Sequence, residues 1–347
     1  MTIDPDRLAD LLARKLVALV KGRWTDLADS HRAGSFPGGT SLAEGSGGRA
    51  WILLTTEAES DPARRLGAAM AVARRAGATE LHLLVDAPAP AAAILARRAA
   101  LFSDPPQVWT VDGATIAPAQ AIAPPIAPAL APEVELYRPV LAAAGLTPVA
   151  EGGNLLGELL GLEVARVVVD DDGSARIEAG VGRFDREAGA MMYAHQGETD
   201  ALARVVDLVA GIRTASAERH PLNTLVTERW LRAALVAHPE LVGAAALEPV
   251  ASAVERANLL EVGVASARGT DLEGRPLVVT CSTVVDLDLV PSAADDRLAA
   301  DPDARLVLAV PSRNVVPVTT ELAGRLRAPA DVVPVADGWQ ALAESRA

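Results

Sequence analysis

Two hydrophobic periods alternate along this chain. Residues 5–20 carry Leu8, Leu11, Leu12, Leu16, Leu19 and Val20 at helical intervals, which predicts an amphipathic helix. Gly34 to Gly48 is rich in Gly and Ser and predicts a loop. Short apolar runs then alternate with helical patterns: strand Ala50–Thr55, helix Pro62–Ala76, strand Leu81–Val85, helix Ala92–Phe102, strand Val108–Val111. Asp61-Pro62 provides an N-cap acceptor followed by proline at the first helical position, and Gly77 a stop. Strands and helices in this order predict right-handed crossovers onto a largely parallel sheet.

The same pattern returns near the end of the chain. Gly48-Arg49-Ala50-Trp51-Ile52-Leu53-Leu54 aligns with Gly274-Arg275-Pro276-Leu277-Val278-Val279-Thr280. After the loss of one residue, Leu81–Val85 falls on Leu306–Val310, and Asp112-Gly113 on Asp337-Gly338. The second copy predicts strand Leu277–Cys281, helix Ser292–Ala300, strand Leu306–Val310, helix Val318–Leu326 and strand Val332–Val335. A shared register of this length points to one supersecondary unit used twice.

Between the copies, Ala117–Pro132 carries Pro118, Pro124, Pro125, Pro128 and Pro132 among alanines. It cannot hold an α-helix and favours extended geometry, as a domain boundary would. The middle segment predicts helix Glu133–Ala144, a turn at Gly145, and strands Leu162–Val169 and Ala175–Val181 around the turn signal Asp170-Asp171-Asp172-Gly173. Helices Asp185–Tyr193, Thr199–Arg213 and Leu222–Ala237 follow. The expected fold class is α/β, with two homologous βαβαβ units flanking a middle α+β segment. The expected domains are residues 1–116, a Pro-rich linker 117–132, a middle segment 133–260 with a helical tail, and residues 261–347.

Composition narrows the function classes. A chain of 347 residues exceeds one comfortable core. Aromatics make up 3%, so Leu, Val and Ala fill the interior. Cys281 is the one cysteine, which excludes an intrachain disulfide framework and a zinc site built on several thiolates. Met1–Asp6 is acidic, without the basic and apolar regions of a secretory leader, and no apolar run is long enough to span a bilayer; the expectation is a cytoplasmic protein with no membrane partner. With 32 basic against 45 acidic residues, a net charge of −13 repels phosphate backbones at long range and argues against a nucleic-acid partner. Lys15 and Lys21 are the only lysines. At whole-chain level the sequence resembles Arg-rich, Lys-poor actinobacterial proteins, a likeness that brings no activity with it.

Three acids carry the first candidate chemistry. Glu135 lies on a predicted helix, Glu163 in Gly161-Leu162-Glu163-Val164, and Glu178 in Arg176-Ile177-Glu178-Ala179-Gly180 on the next strand. Two carboxylates on adjacent antiparallel strands can meet one hard cation. This arrangement resembles the core of the PD-(D/E)xK, restriction-endonuclease-like superfamily. The resemblance implies a helix acid, a strand acid and a Glu-x-Lys strand around Mg²⁺, hence a metal site at Glu135, Glu163 and Glu178. The family lysine falls on Gly180, and Arg183 cannot replace it as a base because its pKa is too high. A degenerate, non-cutting version of that core is therefore expected.

Gly180-Val181-Gly182-Arg183-Phe184-Asp185 lacks the third glycine of a phosphate loop and predicts a turn capped by Asp185. His31, His82, His195, His220 and His238 share no ligand spacing; His82 falls inside a strand, His195 within reach of the candidate acids, and His220 at a turn. The alternation in Val284-Val285-Asp286-Leu287-Asp288-Leu289 predicts a strand with both acids on one face. Open α/β sheets bind ligands at the C-terminal ends of their strands, which selects Thr55, Thr56, Cys281 and Ser282 as candidate ligand-binding residues. The first functional expectation is a non-catalytic binding or scaffold protein, without cofactor, acting through a protein partner or self-association. The alternatives are a Mg²⁺-dependent nuclease or phosphodiesterase using Glu163 and Glu178, and a small-ligand binder at the strand ends.

Overall fold

In a computed structural model, which describes residues 4–28, 31–56, 61–182, 185–186, 198–217, 220–253, 259 and 261–344, the chain is an α/β protein with three sheets. Packing divides it into two compact units, each discontinuous in sequence. The first contains Met1–Pro124, Asp286–Asp295 and Pro317–Pro329; the second contains Pro125–Val285, Asp296–Val316 and Ala330–Ala347. Two stretches that chain order assigns to the last expected domain thus pack with the first unit. No helix among the described residues is long and apolar enough to cross a membrane.

The first unit opens with helix α1 (Pro5–Arg23) and a sheet whose strands lie in chain order: β1 (Arg32–Phe36), β2 (Gly39–Ala43), β3 (Arg49–Thr55), β4 (Glu80–Asp86), β5 (Gln107–Asp112) and β6 (Thr115–Pro118). Strands β3, β4 and β5 are parallel and are joined through helices α2 (Leu66–Arg75) and α3 (Ala89–Ala99). The predicted Gly/Ser loop is instead the β1–β2 hairpin, which lacks the apolar alternation that announces a strand. Gly39 shows why the small residue is there: a Cβ would lie 1.8 Å from the Leu53 carbonyl oxygen on β3. Trp51 and Leu53 pack with Leu12, Leu16 and Leu19 of α1. Ile52 and Leu54 therefore point to the opposite face and are equally buried, as a sheet covered on both sides requires.

His82 on β4 is buried among Trp24, Trp51 and Trp109, stacked on Trp51 at 5.6 Å. Trp109 Nε1 donates to His82 Nδ1 (3.3 Å), so Nδ1 is the acceptor and the neutral ring carries its proton on Nε2. Burial, helped by the nearby Arg49 charge, pulls the imidazole down to about 4. Its aromatic cage favours the neutral ring.

A buried ionic network fixes α3. Asp295 accepts from Arg97 Nε (2.6 Å), Arg97 Nη2 (2.8 Å) and Arg98 Nε (3.0 Å). Asp288 accepts from Arg98 Nη1 and the Gly67 amide, each at 3.1 Å. The predicted strand at Val284–Leu289 is absent. Leu289 N bonds Asp286 O as the chain turns into the helix Leu289–Ala300, so Asp288 is drawn inward and its carboxyl is raised by burial. The helix Pro317–Gly324 is followed by two main-chain bonds to the end of α3: Ser103 N donates to Arg325 O and Arg327 N to Leu101 O, both at 2.9 Å.

The second unit begins after the Pro-rich stretch. The predicted helix Glu133–Ala144 is divided into α4 (Pro132–Glu135) and α5 (Arg138–Ala143), because Pro139 has no N–H for the Glu135 carbonyl. A four-stranded antiparallel sheet follows: β7 (Thr147–Glu151), β8 (Asn154–Leu159), β9 (Leu162–Val169) and β10 (Ala175–Ala179). Strands β9 and β10 are the two expected from the sequence. Strands β7 and β8 were not expected, although Gly152-Gly153 between them, both at positive φ, is a hairpin signal. Helix α6 (Glu198–Ile212) packs on this sheet through Leu202 and Val209. The predicted helix Asp185–Tyr193 falls largely outside the described residues.

The second sheet of this unit is ordered β11 (Ala244–Val250), β12 (Ala265–Asp271), β13 (Pro276–Cys281), β14 (Arg305–Pro311) and β15 (Ala330–Val335). Strands β1 to β5 and β11 to β15 share one order of directions, an antiparallel pair leading into three parallel strands. Leu277, Val279, Cys281, Val307 and Ala309 form one face, covered by helix α7 (Thr227–Ala237) through Trp230, Leu231, Ala234 and Leu235.

Two outcomes follow for the first unit. Replacing Asp295 with Ala leaves two buried guanidinium groups without their shared carboxylate, and urea unfolding is expected to show a loss of about 3–5 kcal/mol. For His82, the unfolded imidazole takes up a proton first, so acid favours unfolding. Stability contributed by the neutral ring is complete above pH 6.5 and is lost as pH falls to about 4, a change on the order of 3 kcal/mol. His82→Leu is expected to flatten that limb of the stability–pH curve.

Candidate functional site

The candidate acids are each held by arginine. Glu135 is exposed and bonded to Arg138 (3.0 Å). Glu163 is buried and accepts from Arg166 Nε (2.9 Å) and Arg186 Nη1 (2.8 Å). Glu178 accepts from Arg176 Nη2 (2.8 Å) and stands opposite Arg166 across the β9–β10 pair. Among the described residues no group of three or more His, Cys, Asp or Glu is placed to hold a metal ion. The three acids therefore do not form the group that the metal-site expectation requires, and each is bonded to arginine instead. Val181 N donates to Asp185 (2.7 Å), the predicted capped turn, while Arg183, Phe184 and His195 lie outside the described residues. His220 accepts from Leu222 N (3.2 Å) and caps the short 3₁₀ turn Pro221–Thr224.

The strand-end residues divide between the units. Thr55 is buried with no hydrogen-bond partner for its hydroxyl among the described residues, and Thr56 is exposed. In the second unit Cys281 is fully buried and its thiol is pushed up to about 12 by burial, so it carries no thiolate at neutral pH. Ser282 is buried and donates to Val284 O (3.2 Å). The next residue, Thr283, opens onto a cavity of about 270 Å³.

That cavity lies where three consecutive parallel strands end. Thr283 follows β13, Arg313 follows β14 and Trp339 follows β15, and the opposite wall is Asn223, Thr227 and Trp230 at the entry to α7. This is the place at which open α/β sheets bind ligands. Asn223 is 5% exposed; its Nδ2 donates to the carbonyls of Ile212 (2.9 Å), Thr214 (3.3 Å) and Ala217 (2.7 Å), which fixes the orientation of the amide. Its Oδ1 accepts from nothing among the described residues. Trp230, 2% exposed, has an Nε1 hydrogen with no acceptor there, and meets Trp339 edge-on at 5.9 Å. Both atoms are closed off from the cavity that their residues line, and such groups are costly to leave unmade. The Thr227 and Thr283 hydroxyls bond each other at 2.5 Å.

Behind Trp230 lies Arg213, fully buried with its guanidinium 4.6 Å from the indole. Its Nε donates to Leu160 O (3.0 Å) and its Nη1 to Leu222 O (2.8 Å) and Leu225 O (3.3 Å), while Nη2 has no partner among the described residues. Desolvation pulls this cation down to about 10, opposed by the charges of Glu158 and Glu228, and it stays charged at neutral pH. These bonds gather the end of α6, the 3₁₀ turn and the β8–β9 turn around one side chain. The loop they hold ends at Val226, a buried β-branched residue in the left-handed region (φ 42°) immediately before Thr227. Strain of this kind persists only where the surroundings over-determine the backbone.

A larger cavity, about 620 Å³, lies in the first unit at the opposite, N-terminal ends of β4 and β5. Arg74 and Glu321 in its wall already pair, and no buried polar atom lacking a partner belongs to that wall. The smaller cavity is the better formed site. No protein-family model, curated protein or solved structure matches this chain. The chemistry of the pocket therefore rests on its own residues. They are threonines, aromatic and amide side chains and one arginine at the mouth, with no Asp, Glu, His, Cys or Lys among the described lining residues. Such a wall can bind and orient; it offers no group that titrates near neutrality to move a proton.

Arg213→Ala strands the Leu160, Leu222 and Leu225 carbonyls and removes the stack on Trp230. A loss on the order of 3 kcal/mol or more in urea unfolding is expected. Arg213→Lys is expected to recover only part of it, since an ammonium cannot reproduce the fork.

Proposed function

We propose that this is a non-catalytic binding protein whose second unit holds a small polar ligand at the C-terminal ends of β13, β14 and β15. One observation carries the reading: a cavity of about 270 Å³, lined by Thr227, Trp230, Thr283 and Trp339, lies where three consecutive parallel strands end, the place at which open α/β sheets bind ligands. The Thr227 and Thr283 hydroxyls in its lining share one hydrogen bond, which leaves one hydrogen and spare lone pairs for a polar ligand. The cavity suits a compact metabolite, lying near the lower end of the range for small-molecule sites. The absence of an acid–base pair from the described lining favours binding over catalysis. No observation favours the metal-dependent nuclease reading.

A thermal-shift screen of the full chain against small polar metabolites tests this. A true ligand at one hundred times its Kd adds about 2.7 kcal/mol of stability. Thr283→Trp, which fills the cavity, is expected to abolish the shift while the ligand-free protein, lacking the bond to Thr227, still unfolds cooperatively. A hit whose shift survives Thr283→Trp binds elsewhere and counts against the reading, as does a screen with no hit.

A further inference from the structure

The second sheet ends at β15, and the ladder beside that strand fixes what its outer edge presents. Ser282 N donates to Ala309 O, so Ala309 on β14 turns its main-chain groups toward β13. Successive residues of a strand alternate in direction, so Leu308 and Val310 turn theirs toward β15. Leu308 stands beside Val332 in the parallel register, and its bonds therefore go to Asp331 and Val333. Ser312 Oγ, just past β14, donates to Val335 O, which puts Val335 in the same inward set. Ala330, Val332 and Pro334 accordingly direct their main chain outward, where the Val332 N–H and C=O meet no partner among the described residues. Pro334 sits where an edge tolerates proline, since the N–H it lacks would have faced away from the sheet. Asp331 and Pro334 are exposed, and Val332 is half-buried.

The first unit shows what such an edge accepts. Val108 stands beside Leu83 as Val332 stands beside Leu308, and the antiparallel β6 lies beyond it, with Ala119 N donating to Val108 O. No such strand follows β15: after Asp337-Gly338, Trp339 enters the core and the short helix Gln340–Glu344 begins. Two other outer strands are blunted against pairing. On β10 the Ile177 amide donates to Glu198 (3.2 Å), and β11 carries a bulge between Ala244 and Ala246.

We propose that a second copy of the chain covers this edge, β15 pairing antiparallel with the partner's β15 about a two-fold axis at Val332. The edge matches itself. Val332 exchanges N–H and C=O bonds with the partner's Val332, and the Ala330 N–H donates to the carbonyl of the partner's Pro334, each bond made twice by symmetry. Asp331 then faces the partner's Val333, and the prolines fall at the two ends, where a missing donor costs least. An axis at Asp331 would set two carboxylates directly opposite each other, which is unfavourable. An axis at Val333 would place each proline against a central Val332 and lose the reciprocal bond there.

Sedimentation velocity of the full chain over a concentration series is the test, and a monomer–dimer equilibrium is expected. Val332→Pro removes an N–H that the folded monomer does not use, so the circular dichroism of the monomer is expected to stay the same while dimerisation weakens about a hundredfold or more. Ala330→Pro removes the outer donor and is expected to weaken it about tenfold; it decides the matter should Val332→Pro misfold. Pro334→Val supplies the donor that the partner's Ala330 carbonyl lacks and is expected to tighten the dimer about tenfold. Val332→Cys is expected to form an intermolecular disulfide on oxidation, because opposed residues of a hydrogen-bonded pair lie about 5.5 Å apart at Cα. A chain that stays monomeric at every concentration overturns the inference. A dimer that neither proline substitution weakens meets through another surface and overturns it equally. A dimer in which Val332→Cys does not cross-link overturns the two-fold axis at Val332.

Discussion

A guanidinium group taken out of water needs oxygens for its N–H groups, and Arg213 finds three of them on the main chain while its Nη2 has none among the described residues. Three carbonyls from two separate turns accept from it, and no carboxylate is among its direct hydrogen-bond partners described here. The consequence is geometric. The described residues of 213–226 contain little regular structure, only two 3₁₀ turns, yet they are pinned by one buried cation on one side and by the Asn223 amide on the other. The αL conformation of Val226 and the placement of Thr227 at the start of α7 come directly after that pinned loop. A carboxylate partner for Arg213 would neutralise the charge more cheaply. It would not tie these strands of backbone together.

The same economy of buried arginine appears in both units and accounts for the fate of the candidate acids. In the first unit Arg97 and Arg98 converge on Asp295; in the second, Arg229 and Arg232 reach Glu158. Glu163 and Glu178 are drawn into arrangements of this kind. With two lysines in the whole chain, arginine forks do the work of organising carboxylates, and a carboxylate engaged by a planar fork has few lone pairs left for a cation.

How much of this could be read from sequence depends on the range of the interaction concerned. The strands around Trp51, Leu83, Val279 and Leu308 announced themselves as dense apolar runs, because a parallel strand buried on both faces must be apolar throughout. The turn at Asp172-Gly173 was legible for its local chemistry, and that at Gly152-Gly153 carried a signal of the same kind that went unread. The β1–β2 hairpin escaped because Gly39 lies against the Leu53 carbonyl, and Gly34 and Ser41 against each other, rather than against a core. The site was legible only in outline. The rule that ligands bind at strand ends led to Cys281 and Ser282, one residue short of Thr283. Asn223, Trp230 and Arg313 come from three distant segments, and nothing in their local sequence distinguishes a pocket wall from a turn or a helix face. Asp286 and Asp288 were misread as a strand face, because the counter-charge that draws Asp288 inward is Arg98, far away in the chain.

The discontinuity of the first unit bears on how the protein is made. Arg97 and Arg98 leave the ribosome early, while the carboxylates that neutralise them, Asp288 and Asp295, are added only after most of the second unit has been translated. The segment Pro317–Pro329 comes later still. Until then the two arginines have main-chain partners at Ala63, Ile122 and Ala123 but not the carboxylates that neutralise them. The first unit therefore cannot be completed by its amino-terminal segment alone.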